Sequence, residues 1–336
     1  MKKILFGTLM LGLMTACNSD NVNNQNEEST DTSVPAAGAA SLSRSCLSEE
    51  IRQEALQNSP ELRQRFAELE ANTQKFSDEI QLGKVLTDGT VEIPVVVNVL
   101  YSNAAENISD ARIAEQIEVL NADYSGTNTD ITKVPSEFQP VKAGDVKVKF
   151  RLANTVRKST TTTSWVKDTM KKSANGGIDA TSPANYLNIW IVGKVVSSDG
   201  RTILGYATFP ESAGLWNDGV VIPAPYFGKT GAAANFNLGR TATHEVGHYL
   251  NLRHIWGDAK CGDDLVADTP TQTSENYDTP TYPLYNRCNG KNRSVMFMNY
   301  MDYVNDAAMF MFTAGQKTRM QSVVASNGAR SGLREY

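Results

Sequence analysis

The sequence predicts a mixed α/β (α+β) fold gathered around one metal-binding helix. Three observations predict it. Two apolar, β-branched runs, Val91 to Tyr101 and Tyr186 to Val192, have the length and composition of buried strands. Asp110 to about Tyr124 carries Ile113, Ile117 and Leu120 at helical spacing behind Ser109, a good N-cap. His-Glu-Val-Gly-His at 244–248 sets two histidines four apart, hence on one face of a helix expected over about Leu238 to Asn251.

The N-terminus reads as a processing signal. Lys2 and Lys3 precede the apolar run Ile4 to Met14 and then Thr15-Ala16-Cys17. That run is too short to span a bilayer and suits a signal peptide over 1–16. Its Met-Thr-Ala-Cys ending resembles a bacterial lipobox, which implies a lipidated Cys17 as the mature N-terminus and a membrane anchor. The alternative is a plain secreted protein cut nearby. Either way the chain works outside the cytoplasm, at the cell envelope or secreted. Residues 17–45 are rich in Asn, Ser, Thr, Asp and Ala without an apolar period, which predicts a disordered tether.

From 46 to 88 the spacing of Ile51, Leu56, Leu62, Phe66 and Leu69 predicts helices, divided or restarted at Pro60 after Ser59. Cys46 stands just ahead of them. It is either an exposed thiol or a fourth metal ligand that displaces water and silences a zymogen. Residues 89–336 form the remaining domain. Val146 to Leu152 alternates as a strand, and Leu204 to Phe209 reads as a short edge strand on which an extended peptide could pair through Leu204, Gly205, Tyr206 and Ala207.

The three histidines of the 336-residue chain all fall between positions 244 and 254. His244, His248 and His254 supply three imidazoles and leave a fourth position open, the pattern of a catalytic rather than a structural zinc. Glu245 follows the first ligand, where it can act as a base. Delivery of His254 needs the helix to stop at Asn251, a residue that tolerates the left-handed exit. Beyond the motif, Cys261 and Cys288 flank a loop rich in Pro, Thr and Asp and are expected to pair outside the cytoplasm. Asp258, Asp263, Asp264 and Asp268 crowd the same loop, a density of oxygen ligands that suits calcium. A last helix is expected from about Thr313. The net charge of −5 and the lack of a basic tract exclude a general nucleic-acid binder.

The zinc motif HExxHxxxxxH followed by Asn299-Tyr300-Met301-Asp302-Tyr303 resembles the metzincins, and in particular the pappalysin family of metalloproteases. The likeness takes in Ile93-Pro94-Val95-Val96-Val97, Leu120-Asn121-Ala122-Asp123, Tyr186 to Trp190, Leu204 to Ala207, Ile255-Trp256-Gly257-Asp258 and Asp268-Thr269-Pro270, over roughly residues 90 to 325. It implies a metzincin-like architecture: a twisted, mostly parallel five-stranded sheet with backing helices above, and an irregular C-terminal lobe with a Met-turn below. Met301 would floor the zinc, Tyr303 would stabilise an oxyanion, and Cys261–Cys288 would be the family disulfide. Asp264 and Thr269 would hold calcium, and Cys46 would be the zymogen switch. An acid at Asp306 or Asp302 near the wall of the pocket after the cut would favour Arg or Lys there. The chain departs from the family at Asn251 for glycine, Asn98 for a histidine, and Leu47 for the glycine after the switch cysteine. The expected activity is zinc-dependent endoproteolysis of proteins or peptides. A catalytically silent zinc-binding lipoprotein and a hydrolase of non-protein amides are the other readings.

Overall fold

The structure is a computed structural model that describes residues 43–82 and 89–334. The signal peptide over 1–16, Cys17, nearly all of the tether and residues 83–88 lie outside these residues. The tether as read runs two residues too far. Arg44 is buried and bonded, and the Ser45 carbonyl accepts from Leu204 N at 3.0 Å, so the ordered chain is under way before Cys46.

Helix α1 (Ser48–Asn58) ends at Ser59, whose extended backbone and hydroxyl cap α2 (Pro60–Gln81) by accepting from Leu62 N at 3.2 Å. Pro60 therefore opens a helix, where its missing N–H costs nothing. Strand β1 (Val91–Tyr101) is buried without a break from Ile93 to Leu100, as a central strand of a sheet covered on both faces must be. Helix α3 (Asp110–Ser125) starts on the Ser109 hydroxyl, stops at left-handed Gly126, and buries Ile113, Ile117, Leu120 and Tyr124. Strand β2 (Val148–Ser159) runs seven residues past the expected end at Leu152, because β1 offers it a partner along its whole length, to Tyr101↔Ser159.

After β3 (Leu187–Val192) come a small hairpin of β4 (Val195–Val196) and β5 (Thr202–Ile203), then β6 (Tyr206–Ala207) and β7 (Val220–Pro223). The sheet order is β2-β1-β3-β7-β6, with the first four strands parallel and β6 antiparallel at the edge. The expected strand Leu204 to Phe209 shrinks to two ladder residues, since Leu204 and Gly205 bond to the N-terminal segment instead. Strand β7 was not foreseen: its apolar run is only Val220-Val221-Ile222, too short to separate from a loop.

Helix α4 (Arg240–Tyr249) packs under β6 and β7 and beside α3. The chain is then irregular to Thr313 apart from a hairpin of β8 (Tyr285–Cys288) and β9 (Lys291–Ser294), with Cys261 bonded to Cys288 at a Cα separation of 5.6 Å. Helix α5 (Ala314–Val324) begins with a capping box between Thr313 and Gln316 and packs on α2. The five-stranded, mostly parallel sheet, the backing helices and the irregular lower lobe are those the resemblance implied. No helix among the described residues is long and apolar enough to cross a membrane.

Candidate active site

Helix α4 is shorter than the sequence suggested because both ends are fixed from outside. At its start Gly239 takes φ 78°, and the Asp306 carboxylate accepts from Leu238 N at 2.8 Å and Arg240 N at 3.2 Å, standing in for a cap. At its end Asn251 sits at φ 76°, the left-handed exit anticipated from its residue type. The turn brings His254 back to the face carrying His244 and His248.

Each imidazole is aimed by its outer nitrogen. Nδ1 of His244 bonds the Tyr300 carbonyl at 2.7 Å, that of His248 the Leu252 carbonyl at 2.8 Å, and that of His254 the Asp258 carboxylate. Such partners fix the tautomer and turn the other nitrogen inward. His248 Nε2 consequently lies 3.2 Å from His244 Nε2 and 3.1 Å from His254 Nε2. With every Nδ1 donating to an oxygen, three inward lone pairs face one another, an arrangement that repels unless a cation lies among them. Burial pushes His244 and His248 well below the usual imidazole range, which keeps them neutral as ligands. At His254 burial also disfavours the charge, but Asp258 outweighs it and draws the pKa up. Trp256 stacks flat on His254 with ring centres 4.4 Å apart.

The fourth side is closed by the N-terminal segment. One ligand atom from each of Cys46, His244, His248 and His254 falls within a group spanning 4.8 Å, and among the described residues no other set of three or more His, Cys, Asp or Glu side chains converges in this way. The buried Cys46 thiol is 3.3 Å from Glu245 Oε2 and receives Ser48 N at 3.3 Å, while Ser48 Oγ bonds both Glu245 Oε2 (3.2 Å) and Ala207 N (2.8 Å). Burial raises the Glu245 carboxyl to about 7 and lifts the thiol well above its ordinary value. Leu47 stands where relatives carry glycine, but its φ of −103° makes no demand for one. Cys46 N donates to the Tyr303 hydroxyl at 3.3 Å, and the Tyr303 ring centre is 4.9 Å from that of His254. Below, a Cβ on Gly247 would meet Met301 Sδ at 2.5 Å, so the buried Met301 packs directly beneath the zinc motif.

The other expectations divide. The edge backbone at Leu204, Gly205 and Ala207, expected to pair with an extended peptide, is engaged by the chain's own N-terminal segment, with Cys46 and Gly205 in a parallel bridge. Tyr206 instead points away, its hydroxyl on the Lys167 carbonyl at 2.5 Å. Asp302 is consumed by the turn, accepting from Asn276, Gln272 and Tyr303 N, and is no wall of the cleft. Asp306 lies buried at the start of α4, where its Oδ1 takes Arg44 Nη2 at 2.7 Å. Asp264 accepts from the Thr269 hydroxyl at 2.9 Å, whereas Asp258 serves His254 and Asp268 holds Thr313 and Gly315, so the acids of that loop are spent separately. Asn98, in place of the family histidine, bonds Asn188 Oδ1 at 3.2 Å inside the sheet. Sequence reasoning missed Arg44, Ser48 and the orienting role of Asp258. Only the last left a signal, an acid one helical turn beyond His254.

Comparison with known proteins agrees with this site. Residues 172–325 match the peptidase M43 family, described as pregnancy-associated plasma protein-A. An extracellular metalloprotease of Colletotrichum graminicola is 32% identical over 257 residues, 71% of this chain and 80% of its own length. One of Uncinocarpus reesii is 30% identical over 266 residues, 75% of this chain and 84% of its own. Among solved structures, a Tannerella forsythia promirolysin mutant superimposes with a TM-score of 0.74 at 39% identity, covering 87% of this chain and 97% of its own. Mature mirolysin of the same organism, in complex with a cleaved peptide, gives 0.70 at 41%, covering 74% and 97%. This chain belongs to the pappalysin (peptidase M43) family and is a metalloendopeptidase.

Proposed function

We propose that the chain is a zinc-dependent endopeptidase of proteins, made as a zymogen that Cys46 silences and held at the cell envelope by a lipid on Cys17. The convergence of three imidazole nitrogens with Glu245 alongside carries the reading. Zinc bound there supplies the Lewis acidity that polarises a peptide carbonyl and acidifies water. Once the N-terminal segment leaves, Glu245 loses Cys46 and Ser48 and is free to take the proton of the attacking water and pass it to the leaving amine. Tyr303, now holding the Cys46 backbone, is placed to donate to the developing oxyanion. Leu204, Gly205 and Ala207 offer edge backbone to an extended peptide. Arg44 on Asp306 supports a preference for Arg or Lys after the cut, since a guanidinium already fits that acid. The anchor rests on the lipobox-like ending at Cys17 alone, and the extracellular relatives support export.

Wild type and Glu245→Ala, both trimmed to about Val91, are incubated with casein and a peptide library with and without a zinc chelator, and fragment ends are read by mass spectrometry. Glu245→Ala should lower kcat/KM by about 10² to 10⁴, and chelation should abolish cleavage. Cleavage by the variant at the wild-type rate would contradict the assigned base, and no cleavage by trimmed, zinc-loaded protein would favour the silent zinc-binding lipoprotein. The same reading keeps a structural calcium near Asp264 and Thr269. It is supported by the Asp264 carboxyl, which burial raises to about 7 and a cation would stabilise in its charged form. A melting temperature unmoved by a calcium chelator contradicts that ion.

A further inference from the structure

The N-terminal segment fills a second charged site on the catalytic body. Arg44 reaches Asp306 on one side of Cys46, and Arg52 of α1 reaches Glu211 on the other, Nε to Oε1 at 2.7 Å. Glu211 follows the edge strand directly, four residues after Ala207, in a turn over Pro210–Ser212. The Arg52 guanidinium also lies 4.5 Å from the ring centre of Phe209, and Phe209 packs 5.2 Å from His248. The catalytic body thus presents a carboxylate and an aromatic face, the two groups that grip a guanidinium, next to the metal-binding helix.

The carboxylate is not fully used. Glu211 is 3% exposed, yet its Oε2 has no hydrogen-bond partner among the described residues. Arg52 divides its donors, with Nη1 turned to Glu49 Oε2 at 3.1 Å. A buried oxygen without a donor is costly, and a guanidinium seated squarely on both oxygens would satisfy it. Nearby Arg330 cannot do so, since it is committed to Asp218 at 2.8 Å and to the Tyr249 carbonyl. The lid over this site is α1 with Phe66 of α2, whose ring also lies 4.5 Å from the Arg52 guanidinium. Promirolysin covers 87% of this chain and mature mirolysin 74%, a difference about the size of 43–88, which supports the lid as the part that maturation removes.

We infer that, in the matured enzyme, Glu211 and Phe209 form a second subsite for a basic substrate side chain, preferring arginine, on the side of the scissile bond away from Asp306. The inference rests on the protease reading above. In the zymogen Arg44 and Arg52 occupy the two basic subsites at once, and Arg52 does so with half of the carboxylate, which leaves it displaceable.

The test takes full-length protein folded as the zymogen and matured by limited trypsin at the 83–88 junction. kcat/KM is measured on fluorogenic peptides with one arginine moved through each of four positions before the cut, against alanine and citrulline at the same places. A parallel set varies the residue after the cut, which reads Asp306 independently. Arginine at one position before the cut should raise kcat/KM about tenfold over citrulline, the worth of one charge-assisted contact. In Glu211→Gln that ratio should fall to near one. No preference for arginine at any position before the cut, with cleavage and the preference after the cut intact, overturns the subsite alone. A preference that survives in Glu211→Gln overturns the role of Glu211. If Glu211→Gln does not accumulate, the wild-type scan and Phe209→Leu, which keeps the charge and should lower the ratio, decide the matter.

Discussion

At the scale of single residues, the site is set by groups that aim other groups. Tyr300, Leu252 and Asp258 each hold an outer imidazole nitrogen, and the metal-facing geometry follows from those bonds. Gly247 shows the tolerance left. A Cβ there would stand 2.5 Å from Met301 Sδ and 3.3 Å from its Cε. Gly247→Ala should therefore cost about 1–3 kcal/mol by overpacking, seen as a melting temperature several degrees lower, and an unchanged melting curve would show that Met301 moves aside freely. Much at this scale was legible from sequence. The three ligands and Glu245 follow from helical spacing, and Asn251 from the backbone it tolerates. Asp258 was only counted among the acids of a loop that suits calcium, because charge density does not reveal which carboxylate turns back to a histidine. Asp302 was placed beside Asp306 for a similar reason, although its neighbours in the turn use every lone pair it offers.

Among elements, the N-terminal segment and the edge of the sheet matter most. Arg44, Cys46, Ser48 and Arg52 engage three acids of the catalytic body, with Arg44 on Asp306, Cys46 and Ser48 together on Glu245, and Arg52 on Glu211, and α2 adds its pack against α5 and the ion pair of Glu70 with Arg319. In the proposed reading, latency is shared between a thiol at the metal site and a series of side-chain anchors. Zinc-loaded, full-length Cys46→Ala should process itself or cut a reporter peptide at least about tenfold faster than wild type, since a metal-site thiolate is the group that excludes water. Equal latency in the two proteins, followed by electrophoresis over time, would assign silencing to Arg44 and α1 alone. The periodicity of α1, α2 and α3 carried these helices, with caps at Ser59 and Ser109 legible to the residue. Strands were harder. Strand β2 is long because β1 is long, and β6 is short because the N-terminal segment takes its neighbours, so both lengths depend on partners distant in sequence.

For the whole molecule, the parallel sheet, the helix beneath its edge and the irregular lobe below enclose a buried floor on which three histidines converge. The burial that keeps His244 and His248 uncharged also raises Glu245, so one enclosed volume prepares the ligands and the base together. The central claim is that this volume holds one zinc ion, that Cys46 is its fourth ligand in the zymogen, and that this bond is what maturation breaks. X-ray absorption at the zinc edge tests it most directly, on full-length protein loaded with one equivalent of zinc and on the same protein after maturation. We expect three nitrogen neighbours and one sulfur at about 2.3 Å before maturation, with the sulfur replaced by oxygen afterwards and already absent in Cys46→Ala. A zymogen spectrum without sulfur, or one unchanged by maturation, would contradict the account.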